Sequence, residues 1–126
     1  MRAFRSVRWQ RFAVIPIWSK SMKNKDSYLG EFEELVLLAI LKLKDNAYGT
    51  TVRDALEEAT GRSISIGALY ATFDRLERKG FAKSWQGEAT PERGGRAKRY
   101  FDIEPNGREA LRLSEESRRN LVPKLA

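Results

Sequence analysis

The stretch that decides the fold is Ser65-Ile66-Gly67-Ala68-Leu69-Tyr70-Ala71-Thr72-Phe73-Asp74-Arg75-Leu76-Glu77-Arg78-Lys79-Gly80, with the two runs that follow it, Phe81 to Glu88 and Ala97 to Ile103. Leu69, Phe73 and Leu76 recur at i, i+4 and i+7, so they share one helical face and point to a core. Ser65 is a suitable N-cap, and Gly80 a suitable stop. Gly67, Ala68, Ala71, Arg75 and Arg78 fall away from the apolar face. Small side chains near a helix N-terminus let its backbone approach another surface closely, and the arginines reach past it. The two later runs read as strands turned by Gly94-Gly95. Arg93, Arg96, Lys98 and Arg99 gather at the tip and on the second strand.

Working outward, Gly30 to Lys44 is predicted to be a first helix, with Glu31, Glu33 and Glu34 in its first turn, where carboxylates complement the helix dipole. Phe32, Leu35, Val36, Ala39, Ile40 and Leu43 share one face, while Leu37, Leu38 and Leu41 lie on the other. A helix apolar all round must be covered all round. A second subunit is the expected cover, with the terminal helix or the N-terminal arm as alternatives. Asp45 to Gly49 is a turn, and a second helix runs from Gly49 or Thr50 to Gly61, burying Val52, Ala55, Leu56 and Ala59. After the hairpin, Pro105 to Val122 forms a last helix that Pro123 ends. Its thin stripe of Ala110, Leu111, Leu113 and Leu121 suits a partner's helix better than a deep core.

Helix, turn, helix and cationic hairpin together describe an α+β, mostly α, winged helix-turn-helix with a two-stranded wing. That arrangement offers one helix to a major groove of DNA and a basic wing beside it. Neither part suffices alone. Surface alanines raise helix propensity without any ligand, and edge strands carry Lys and Arg to block aggregation. Tyr70 is read either as a half-buried residue closing the core or as a hydroxyl contact to DNA. Trp85 reads as packing.

Three domains of use are expected: a basic extension over 1–27, the winged helix over 28–104 and a dimerisation helix over 105–126. The formal charge of +7 is uneven, since residues 1–26 hold seven Lys and Arg against one acidic residue. The remainder is nearly neutral, so the case for nucleic acid rests on where the charges sit. The extension contains Trp9, Phe12 and Trp18, but its apolar run is short and interrupted by Pro16, unlike a signal peptide or a membrane span. It is read as a flexible extension, with a DNA-contacting arm or a membrane-surface anchor as alternatives.

The chain has no Cys and no His. Thiolate metal sites, disulfides and the commonest acid–base residue are therefore excluded, and no other catalytic constellation stands out. Gly94-Gly95 lies in a hairpin, not between strand and helix, so it is no nucleotide fingerprint. We expect no enzyme, no cofactor and no metal, and a cytoplasmic location.

Leu29 to Leu38, Tyr48-Gly49, Ser65 to Tyr70, Leu76 to Phe81 and Gly94 to Phe101 together resemble the PadR-like family of bacterial transcriptional regulators, over about residues 28–115. The resemblance implies a repressor that binds a two-fold operator on double-stranded DNA as a homodimer. By position it implies DNA contacts at Ser65, Gly67, Tyr70, Thr72 and Arg75, and from the wing at Arg93, Arg96, Lys98 and Arg99. The dimer interface is expected at Leu37, Leu38, Leu41, Leu111 and Leu121. The single short terminal helix is similar to the short subfamily. Some members bind flat aromatic effectors between Trp residues at the dimer interface. Here the terminal helix carries no aromatic residue, and a small-molecule effector stays open. Two other readings also stay open: a winged-helix module that docks on protein through the Gly67 and Ala71 face, and an RNA-binding protein led by the basic N-terminus.

Overall fold

The computed structural model describes residues 28–89 and 97–123. Helix α1 spans Glu31–Leu43 and runs into a 3-10 turn at Lys44–Asn46. Helix α2 spans Gly49–Thr60, and α3 spans Ile66–Arg78. Strands β1 (Ala82–Ala89) and β2 (Ala97–Ile103) form an antiparallel sheet, and α4 spans Pro105–Leu121. Order and type match the sequence reading, and boundaries shift by one or two residues, as helix ends do.

The local causes are visible at the ends of the elements. The Ser65 hydroxyl accepts a hydrogen bond from the Ala68 N–H at 3.0 Å and caps α3. Thr51 Oγ1 accepts from the Tyr48 N–H at 3.0 Å and holds the entry to α2. Gly61 and Gly80 end α2 and α3 at φ of 71° and 79°, where a side chain would be strained. In the sheet, Ser84 pairs with Phe101 and Trp85 with Tyr100, and a register shift follows between Gln86 and Ala89. Tyr48 bridges to Tyr100, and the Phe101 N–H donates to the Ala47 carbonyl at 2.9 Å, so the segment before α2 extends the sheet.

Helix α1 lies at the centre, in contact with α2, α3, β2 and α4. Val36, Leu37 and Ile40 of α1 pack in one core with Val52, Leu56, Leu69, Phe73, Leu76 and Phe101. Phe73 of α3 stacks on Phe101 of β2 with ring centroids 3.7 Å apart, so α3 and the sheet share one apolar joint. Gly107 lets α4 lie against the chain at Phe81. A Cβ there would overlap the Phe81 carbonyl oxygen and Ile103.

The structure corrects one part of the expected dimer surface. Leu37 is fully buried within its own chain and offers nothing to a partner. Elements pack on more than one side of α1, and α4 supplies part of the cover that the apolar back of this helix requires. Leu38 is 46% exposed and Leu121 is 83% exposed. Leu41 is half-buried, and it lines with Leu38 and Leu111 a groove between α1 and α4. Leu111 itself is packed against the core at the edge of that groove.

Candidate nucleic-acid interface

Helix α3 buries Leu69, Phe73 and Leu76 and turns Gly67, Ala68, Ala71, Asp74 and Arg78 to solvent. Ile66 adds a half-exposed apolar side chain at its start. Gly67 has φ in the ordinary range, and a Cβ built on it would meet only Ser65 Oγ, at 3.9 Å. Nothing inside the fold requires glycine there, although glycine weakens a helix by about 1 kcal/mol relative to alanine.

Thr72 does not belong to this surface. It is 1% exposed, its hydroxyl donates to the Ala68 carbonyl at 2.9 Å, and it accepts from Arg75 Nη2 at 3.1 Å. A buried hydroxyl with both roles filled has no reach to a base or phosphate. Tyr70 takes an intermediate place. Its ring meets Phe73 edge-on at 5.3 Å, and its hydroxyl lies against Gly49 at the start of α2.

Arg75 stands at the border of the exposed face. Its Nε donates to Glu33 Oε2 at 3.0 Å, Nη1 has no hydrogen-bond partner among the described residues, and the side chain is 41% exposed. Glu33 is a junction that sequence reading assigned only to the helix dipole. It is buried and accepts from the Gly30 N–H at 2.9 Å, from Arg75, and from Lys79 Nζ at 3.0 Å. Burial pushes its carboxyl upward, but the Gly30 N–H and the Lys79 and Arg75 side chains outweigh this and hold it below the ordinary carboxylate range. Glu34 was likewise read as a dipole partner. It is buried, and both oxygens accept from Arg118 at 2.9 Å, which ties α4 to α1.

On the wing, Lys98 Nζ lies 4.4 Å from the centroid of the Tyr48 ring, a cation–π contact that leaves its charge available. Arg99 is different. It donates from Nε to Ser84 Oγ at 3.1 Å and from Nη2 to Glu77, with Asp74 at 3.5 Å. These bonds place both wing strands directly beside α3. Arg93 and Arg96 lie outside the described residues. Trp85 is 47% exposed and stacks beside Tyr100, so it is only partly the packing residue expected.

Residues 37–113 match the transcriptional regulator PadR-like family. The chain belongs to this family. It is a DNA-binding transcriptional regulator, not an enzyme. Solved structures of similar proteins agree in fold with this PadR-like regulator. A PadR-like transcription factor from Bacteroides fragilis is 25% identical, with a TM-score of 0.64 over 82% of this chain and 90% of that one. A PadR family transcription regulator from hypervirulent Clostridium difficile is 23% identical, with a TM-score of 0.56 over 71% of this chain and 90% of that one. A PadR-like regulator from Bacillus cereus is 19% identical, with a TM-score of 0.59 over 71% and 82% respectively. The latter two speak to the fold alone. No curated protein matches the chain. No helix among the described residues is long and apolar enough to cross a membrane.

Proposed function

We propose that this PadR-like regulator is a homodimeric repressor that reads a two-fold operator. One observation carries the reading: the solvent-open, small-residue face of α3 lies beside the wing, joined to it through Arg99 and Glu77. Each α3 enters a major groove, where Gly67 allows the backbone close to the base edges. Ser65 and Arg75 contact bases or nearby phosphates, and the Tyr70 hydroxyl contacts the backbone. Lys98, Arg93 and Arg96 serve the phosphates on the wing side. The second copy covers Leu38, Leu41 and Leu121, with Leu111 beneath them.

The test is selection of double-stranded DNA from a random-sequence library by the full chain. Enriched duplexes are expected to contain inverted half-sites about one helical turn, ~10 bp, or a multiple of it apart. If the dimer neutralises on the order of eight phosphates, log affinity falls against log salt with a slope near roughly −7. Enrichment of asymmetric single sites overturns the two-fold reading, and absence of enrichment overturns the operator reading altogether. Removing residues 1–25 leaves binding largely intact on this view, whereas its loss favours an N-terminus-led mode. Placing the selected site between a promoter and a reporter gives the sign of regulation, with lower expression expected.

A further inference from the structure

The wing carries an arginine that its own fold already uses. Ser84 Oγ donates to Glu77 Oε2 at 2.8 Å and accepts from Arg99 Nε at 3.1 Å. Arg99 Nη2 closes the ring on Glu77 Oε1. The ring takes one residue from β1, one from β2 and one from α3. Its members are not simple surface groups, since the Arg99 and Glu77 side chains are only 30% and 31% exposed. The guanidinium carbon sits 4.9 Å from the centroid of Phe101, the ring that stacks on Phe73 of α3. One polar and one apolar joint thus connect the same two elements at the same place. We propose that Arg99, Ser84 and Glu77 form a strap that sets the wing against the recognition helix, with Arg99 a positioning residue and not a phosphate contact.

Charge supports this division of labour. Arg99 faces two carboxylates, Glu77 and Asp74, so the cluster has no net positive charge to offer a phosphate. A planar guanidinium suits the ring because Nε and Nη2 present two donors in a fixed fork, which an ammonium cannot copy. The strap also lies between the core and the outer part of the hairpin. A tilt there moves the wing residues beyond it, Lys98 first.

This inference rests on the DNA-binding reading, and the sign of one substitution separates the two. A carboxylate on a DNA-facing helix repels phosphates, so simple electrostatics makes Glu77→Gln bind DNA more tightly. The strap requires the reverse. With a duplex taken from the random-library selection, Glu77→Gln and Arg99→Ala should each bind ~10-fold more weakly, and the double variant no worse than either, because members of one network do not add. Arg99→Lys keeps the charge and should match Arg99→Ala. Ser84→Ala, which alters no charge and has room to fold, should weaken binding severalfold. Circular dichroism and melting confirm that each variant is folded at the assay temperature. Tighter binding by Glu77→Gln, additive losses, or rescue by Arg99→Lys overturns the strap while leaving DNA binding intact. Failure of the unaltered chain to select any duplex overturns the underlying reading and the strap with it.

Discussion

Two glycines with opposite surroundings show what single residues do in this regulator. A methyl at Gly107 collides with the Phe81 carbonyl and Ile103, both fixed by packing. Gly107→Ala is therefore expected to destabilise the fold by about 1–3 kcal/mol, read by urea denaturation. A methyl at Gly67 meets only Ser65 Oγ, at an ordinary contact distance of 3.9 Å. Gly67→Ala should stabilise the isolated protein by about 0.5–1 kcal/mol through helix propensity. It should nevertheless weaken binding to the selected duplex by ~10-fold or more, because a close-docked helix has no room for the methyl. A variant that is more stable and binds equally well would remove the argument that α3 docks through this face. Glu33 makes the third residue-scale case. Its folded carboxyl is depressed below the usual value of 4.5, so its stabilisation is complete above that value and is lost as pH falls through the lower folded value. Glu33→Gln should lower stability at neutral pH by about 1–3 kcal/mol and flatten the acid side of the stability profile. Equal acid sensitivity in the two proteins would count against this account.

At the scale of elements, helix bounds, strand bounds and their order were legible because their causes are local. Ser65 caps α3 three residues away, Gly80 stops it, and the Leu69, Phe73 and Leu76 repeat buries it. The associations between elements had no such signal. Glu33 and Arg75 are 42 positions apart, and Glu77 and Arg99 are 22 apart. A carboxylate in a helix's first turn looks the same in sequence whether it faces water or buries itself against another element. Thr72, which the family resemblance implied by position as a DNA contact, shows a related limit. It neighbours exposed Ala71, but one residue is 100° around a helix, and its hydroxyl satisfies the helix backbone. The C-terminal element is attached through Glu34 and Arg118. Arg118→Ala should free α4, seen as faster amide exchange in that helix with α1 to α3 unchanged. Unchanged protection of α4 would show that Leu111 and Ala110 hold it without the ion pair.

At the scale of the whole molecule, two open features among the described residues bear on function, the α3–wing surface and the groove between α1 and α4. Leu38 and Leu41 leave apolar surface at that groove, and Leu121 is exposed at the end of α4, in keeping with a second copy. Leu38→Glu should give a folded monomer by sedimentation, with a melting temperature within a few degrees of the parent, since exposed sites perturb stability little. Operator affinity should drop by ~100-fold or more as the two half-sites are no longer held together. A dimer that survives this substitution would place the interface elsewhere.

Sequence alone was enough to determine the succession of elements, the core face of α3 and the family to which the chain belongs, but not the whole buried face of α1 or α2, where Leu37 is interior and Ala59 is exposed. Periodicity, caps and turn residues act over a few positions and leave their mark on neighbouring letters. Only the tertiary structure decided which cations are available and which are spent, and which leucines are interior. A charge is spent when a distant carboxylate meets it, and a leucine is interior when elements remote in the chain surround it. Proximity of that kind is a product of packing, and no local pattern encodes it.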